Sequence, residues 1–184
     1  MKHSIRLLAA AAALALSSVA ATGATLTFQG ATFTASSVGD VLTIGIDADP
    51  LHLTGDWASA VWIDSIEVKN VGSYSSVSMT GTGGAWTYAP AELNASGCSG
   101  GNDPAGACFS HSPVALADGM SFAFTYTGGP FDFSAPTLKV RFLNADLEKQ
   151  GSLLSQPIPE PGTYALMLGG LGLIGFMARR RRLS

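Results

Sequence analysis

The chain has 184 residues, 47% hydrophobic and only 12% charged, with a formal net charge of −3. That length suits one ordinary domain plus targeting segments. The charge excludes a nucleic-acid binder that works by neutralising phosphates. Lys2, Arg6, Arg179–Arg182 and Glu160 lie outside residues 25–156, so that stretch keeps four basic and twelve acidic residues, a net −8. An acidic surface also argues against anionic lipid as a partner and suits a hydrated, cation-rich surrounding.

At the N-terminus, Lys2 and Arg6 form a basic region ahead of the apolar run Leu7–Leu16. Small residues follow from Ser17 to Ala24. This order predicts a signal peptide over 1–24, cut after Ala24, with Ala20 and Ala21 as alternative sites. Export machinery and signal peptidase are then partners. The apolar run falls short of the ~20 residues a spanning helix needs, which disfavours an uncleaved anchor.

Residues 25–156 read as all-β, a two-sheet antiparallel sandwich with a jelly roll as one form of it. Asp40–Asp47, Gly119–Thr127 and Thr137–Asn144 alternate apolar and polar residues, the period-two mark of a half-buried strand. Further strands are expected at Thr25–Gln29, Ala31–Val38, Ala60–Val71, Tyr74–Thr80, Ala85–Ala89 and Gly151–Ser155. Gly-rich punctuation at 38–40, 81–84 and 128–130 separates them. No fixed-period repeat is present.

Asp47-Ala48-Asp49, followed by Asp56 and Asp64, supplies hard oxygen ligands and makes Asp47 and Asp49 weak calcium candidates. The spacing is not that of an EF-hand loop, and no metal site is otherwise indicated. Asp64 shares strand parity with Trp62, Ile66 and Val68, which would bury a carboxylate; a bulge near Ser65 would remove the conflict. Trp57, after the turn-like Thr54-Gly55-Asp56, is the leading candidate for stacking on a sugar ring. Trp62, Trp86, Tyr74 and Tyr88 read as core or strand-face aromatics.

Cys98 and Cys108 bound a Gly-rich loop without apolar packing of its own, and in an oxidising compartment a disulfide is the natural reading. Ser110-His111-Ser112 contains a nucleophile and a base, but neighbours on a loop rarely face each other, and His111 reads as a solvated loop residue, with His52 the domain's other histidine. With no catalytic residues assigned and no cofactor implied, the domain reads as non-enzymatic. A small secreted hydrolase using two of Asp47, Asp49, Asp56, Asp64 and Glu67 is the remote alternative.

The end of the chain is the most specific part. Pro159-Glu160-Pro161 precedes an uncharged stretch, Gly162–Ala178, and then Arg179, Arg180, Arg181 and Arg182. Seventeen residues span about 25 Å as a helix. Arg179 can extend its stem to reach the interface of a ~30 Å hydrocarbon core. The arginines act as a stop-transfer signal and stay in the cytoplasm. This predicts a transmembrane helix in the inner membrane with the domain outside.

This three-part tail, PEPGTYALMLGGLGLIGFMARRRRLS, resembles the sorting signal of PEP-CTERM proteins, exported proteins of Gram-negative bacteria. The resemblance implies recognition by exosortase, a membrane transpeptidase-like cysteine enzyme that cuts near Pro159, Glu160 and Pro161. It also implies a place at the cell surface or in an exopolysaccharide or biofilm matrix. Residues 157–184 would be the sorting signal. The domain's role would be structural or adhesive, or alternatively that of a carbohydrate-binding module for self-produced polysaccharide.

Overall fold

Thirteen strands account for most of the domain's described residues, and alternating segments of the sequence supply several of the long ones. The computed structural model describes residues 24–102, 106–151, 156–158 and 171. The strands are β1 (Ala24–Phe28), β2 (Ala31–Val38), β3 (Val41–Asp47), β4 (Trp62–Lys69), β5 (Ser76–Gly81), β6 (Gly84–Ala85) and β7 (Thr87–Ala89). They continue with β8 (Leu93–Asn94), β9 (Gly97–Cys98), β10 (Gly106–Ala115), β11 (Met120–Thr127), β12 (Thr137–Leu143) and β13 (Gln156–Pro157). One sheet runs β1-β2-β3-β11-β5-β6 and a second runs β13-β12-β4-β10-β7; β8 and β9 pair with each other. All strand pairings among the described residues are antiparallel. β1–β3 form a meander within one sheet.

The core lies between the two sheets because each long strand turns its apolar alternate residues inward. Phe33, Leu42, Ile44, Ile46, Phe122 and Phe124 come from the first sheet; Ile66, Val68, Phe109, Leu138, Val140 and Phe142 come from the second. Phe109 and Phe124 meet edge to face across the layers, with centroids 5.6 Å apart. Trp57 performs the same bridging at one end. It lies on a short 3-10 turn, Gly55–Trp57, and packs edge to face on Phe33 of β2 and Phe142 of β12.

The expected bulge is present, and it is two-sided. In β4, Ser65 pairs with Arg141 and Ile63 pairs with Phe142, so Asp64 is skipped on the β12 side. On the β10 side Ser65 faces Ser110 while Ile63 faces Val114, so His111–Pro113 bulge opposite Asp64. The slip lets Ile63 and Ile66, three apart, both enter the core.

Several local expectations change. Ala85–Ala89 is not one strand: it breaks at Trp86, with β6 in the first sheet and β7 in the second. Trp86 is buried at that crossing and donates its indole N–H to the Thr82 carbonyl at 3.1 Å. Ser110-His111-Ser112 is part of strand β10 rather than a loop. Of the expected Gly151–Ser155 strand, residues 152–155 lie outside the described residues, and the pairing occurs at β13 instead. Ala24 is 1% exposed and opposite Ala35, so a signal cut after Ala24 would remove a core residue. No helix among the described residues is long and apolar enough to cross a membrane. Apart from Leu171, the expected Gly162–Ala178 span lies outside them.

Candidate functional site: a roofed charge cluster and the junction with the tail

Two features stand out from an ordinary sandwich. The first is on the outer face of the second sheet. β4 presents Ser65, Glu67 and Lys69 there, and its register partners on β12 are Arg141, Lys139 and Thr137. The hairpin of β8 and β9 lies over this face, tied to β10 by the Cys98–Cys108 disulfide. Cys108 is itself the register partner of Glu67. The roof therefore rests on the charges.

Each charge beneath it is partnered. Arg141 donates from Nε to Asp64 Oδ1 at 2.8 Å and from Nη2 to Oδ2, and its Nη1 donates to the Ala95 carbonyl of the roof at 3.1 Å. Glu67 has no solvent exposure; Lys139 lies 3.5 Å and Lys69 3.9 Å from its oxygens, and the Leu93 N–H donates to it at 3.1 Å. At the rim, Glu92 takes hydrogen bonds from both Lys139 and Lys69. These two ammonium groups lower the Glu92 pKa to about 2, the hydrogen bond from Lys139 being the largest cause. Gly97 closes the roof at φ 95°, and a Cβ there would stand 3.4 Å from the Arg141 guanidinium carbon.

This arrangement neutralises itself. Asp64, Glu67 and Glu92 face Lys69, Lys139 and Arg141. Three of the four basic residues in 25–156 are thereby used, and the −8 falls on the remainder of the domain. Glu92, held by two ammonium groups at the rim, is a poor general acid, because its protonated form is disfavoured.

The second feature is the junction at the C-terminal end. β13 adds an edge strand to β12, with Pro157 opposite Thr137 and Gln156 opposite Leu138. The Ile158 N–H donates to the Pro136 carbonyl at 3.0 Å, and the Ile158 side chain is fully buried in the core. Proline at an edge strand is tolerated because its missing N–H faces no further strand. The domain thus runs two residues past Gln156, and Pro159 is the next residue.

The sequence-predicted site residues sort as follows. Cys98 and Cys108 are joined, with 5.7 Å between their Cα atoms. Trp57 is 1% exposed, so it cannot stack on a glycan; the turn at Gly55 tucks the indole between the sheets instead of displaying it. Asp47 and Asp49 are occupied in turn building. Asp47 Oδ1 accepts the Gly119 N–H at 2.6 Å, and Asp49 Oδ1 accepts the Leu51 N–H at 2.9 Å. Asp49 Oδ2 also lies 3.1 Å from His52 Nδ1. Among the described residues no three His, Cys, Asp or Glu side chains are grouped to hold a metal, so Asp47 and Asp49 are joined by no third carboxylate.

His111 is not a solvated loop residue either. Its ring lies against Trp86, centroids 5.1 Å apart, and its Nδ1 stands 2.7 Å from the Ser112 carbonyl. A carbonyl only accepts, so that nitrogen carries its hydrogen and is no base for the Ser112 hydroxyl 3.2 Å away. Pro159, Glu160, Pro161 and Arg179–Arg182 lie outside the described residues. Sequence reading missed the roof and its ion pairs; Glu92, between Ala91 and Leu93, carries no local signal of its partners.

Among known protein families, residues 157–182 match the PEP-CTERM protein-sorting motif. The chain therefore carries that motif, as a PEP-CTERM domain-containing protein does. No curated protein and no solved structure matches the chain. The motif supports an exported, membrane-anchored precursor that an exosortase-like partner sorts to the cell surface. Together with the all-β fold it fits a surface substrate protein rather than an enzyme.

Proposed function

We propose that this chain is a structural or adhesive component of the cell surface or of an exopolysaccharide matrix. A signal peptide directs export, and Gly162–Ala178 holds the precursor in the inner membrane with Arg179–Arg182 inside. An exosortase-like enzyme then frees the domain near Pro159-Glu160-Pro161. The observation that carries this reading is the matched sorting motif beginning where the folded sandwich ends. The test is recovery of the protein from cells and medium: the native chain should appear outside without its arginine cluster. A variant with Pro159, Glu160 and Pro161 all changed to alanine should stay with the membrane at full tail length.

A second reading, binding to a neutral polysaccharide, moves from Trp57 to the outer face of the first sheet. Hydroxyls there pair across strands as Thr25–Thr34, Thr27–Thr32, Ser36–Thr43, Ser78–Thr125 and Ser76–Thr127. Rows spaced about 4.8 Å apart offer donors and acceptors without charge. Asp47 is the charged residue on those strands. Retention of the domain on an insoluble neutral glucan, lost in Thr34→Lys with Thr43→Lys and unchanged by 0.5 M salt, is the expected outcome.

A further inference from the structure

The structure assigns both processing bonds to positions outside Ala24–Ile158: the leader is cut before Ala24, and the sorting tail is cut after Ile158. The second half rests on the sorting reading above; the first does not.

At the front, Ala24 is a core residue. It is 1% exposed, belongs to the same hydrophobic cluster as Phe33 and Trp57, and opens β1 opposite Ala35. Cutting after Ala24 would place a new charged ammonium on Thr25, at the first register pair that remains, and would leave Ala35 without its partner. A cut after Ala20 avoids this. Ser18-Val19-Ala20 is a small-x-small site, and it leaves three residues, Ala21-Thr22-Gly23, between the charged terminus and Ala24.

At the back, the chain is held through Ile158 by two register pairs, one backbone hydrogen bond and a fully buried side chain. An enzyme that cleaves a peptide bond must surround the reacting carbonyl, and Gln156 and Pro157 lie in an edge strand paired with β12. The first bond beyond the buried side chain is Ile158–Pro159. Between Ile158 and the apolar stretch at Gly162 stand three residues, which span at most about 10 Å in any conformation. The enzyme therefore meets its bond against the folded end of the sandwich. In that step the carbonyl carbon passes to water, or to the amine or hydroxyl of an acceptor; the departing nitrogen takes a proton and leaves with the tail. Gln156–Ile158 stays behind as the last strand of the mature domain.

The experiment is intact-mass and terminal-peptide analysis of the native protein recovered from its own cells and medium, together with hydrogen exchange on the purified full-length chain. The expected mature protein begins at Ala21 and ends at or beyond Ile158. The Ile158 amide should exchange at least about tenfold more slowly than that of Glu160. A mature N-terminus at Thr25 or later overturns the first half. A C-terminus upstream of Ile158, or an Ile158 amide as fast as that of Glu160, overturns the second half while leaving the sorting reading intact. Recovery only of chains ending at Ser184 overturns the sorting reading and the second half together, and leaves the N-terminal assignment standing.

Discussion

Arg141 grips Asp64 at the one point in β4 where both neighbouring strands slip register. The bulge turns the carboxylate out of the core, and the guanidinium that meets it reaches on to the Ala95 carbonyl of the roof. One side chain thus fixes the bulge, the ion pair and the covering hairpin.

Removing that side chain alone should be costly. Arg141→Met leaves Asp64, 9% exposed in its side chain, without its counter-charge. The expected loss is on the order of 3 kcal/mol, as when one partner of a buried pair is removed. Asp64→Asn combined with Arg141→Met should recover more than half of that loss, because no uncompensated charge remains. Urea unfolding of the two variants and the native domain checks this. Equal instability of single and double variants would show that the guanidinium acts through packing instead of charge.

The disulfide should matter mainly through the roof. Its cysteines are 10 residues apart in sequence, so opening it frees a short loop and should cost roughly 2–3 kcal/mol. The two sheets share their core without it, so Cys98→Ser with Cys108→Ser should still fold. Amide exchange at Leu93, whose N–H is held by Glu67, should accelerate, while that of Phe122 in the first sheet should not. Uniform acceleration across both sheets would contradict a local role.

The parts of this architecture that were legible in sequence share one physical feature, a clean period of two. β2, β3, β11 and β12 bury one face and expose the other, so their alternation is visible. β10 was not legible because Gly106, Ala107, Cys108 and Phe109 are all buried, one face by the core and the other by the roof. Glu67 and Lys139 resemble solvent-side residues of half-buried strands; only the distant hairpin 92–102 covers them. Trp57 misled because a Gly-containing turn looks the same whether it displays the next side chain or tucks it inward. The sorting tail was plain in sequence, but its continuity with the core through Ile158 depends on pairing with β12.

Trp57 gives a direct contrast between core and surface. Trp57→Ala should destabilise the domain by about 3–5 kcal/mol, since the indole bridges Phe33 and Phe142 and leaves a cavity between the sheets. The folded fraction should retain native affinity for any glycan the domain binds. Thr34→Lys should show the opposite pattern, with stability nearly unchanged and retention on neutral glucan reduced. Loss of binding by folded Trp57→Ala, matched in a thermal melt, would return the glycan site to that end of the sandwich.

Acid sensitivity should trace in part to Glu92. Lys139 and Lys69 hold its pKa near 2, below the ordinary glutamate value of 4.5. A carboxyl whose folded pKa lies below its unfolded one contributes stability fully above the unfolded value, and that contribution fades as pH falls from about 4.5 through about 2. Glu92→Gln should therefore be less stable than the native chain at pH 6. The difference should shrink steadily below pH 4.5 and be nearly gone at pH 2. Because Glu92 sits at the open rim, 43% exposed in its side chain, 0.5 M salt should also narrow the gap at pH 6. A gap that stays constant from pH 6 to pH 2 would mean that Glu92 supports the roof by shape and not through its charge.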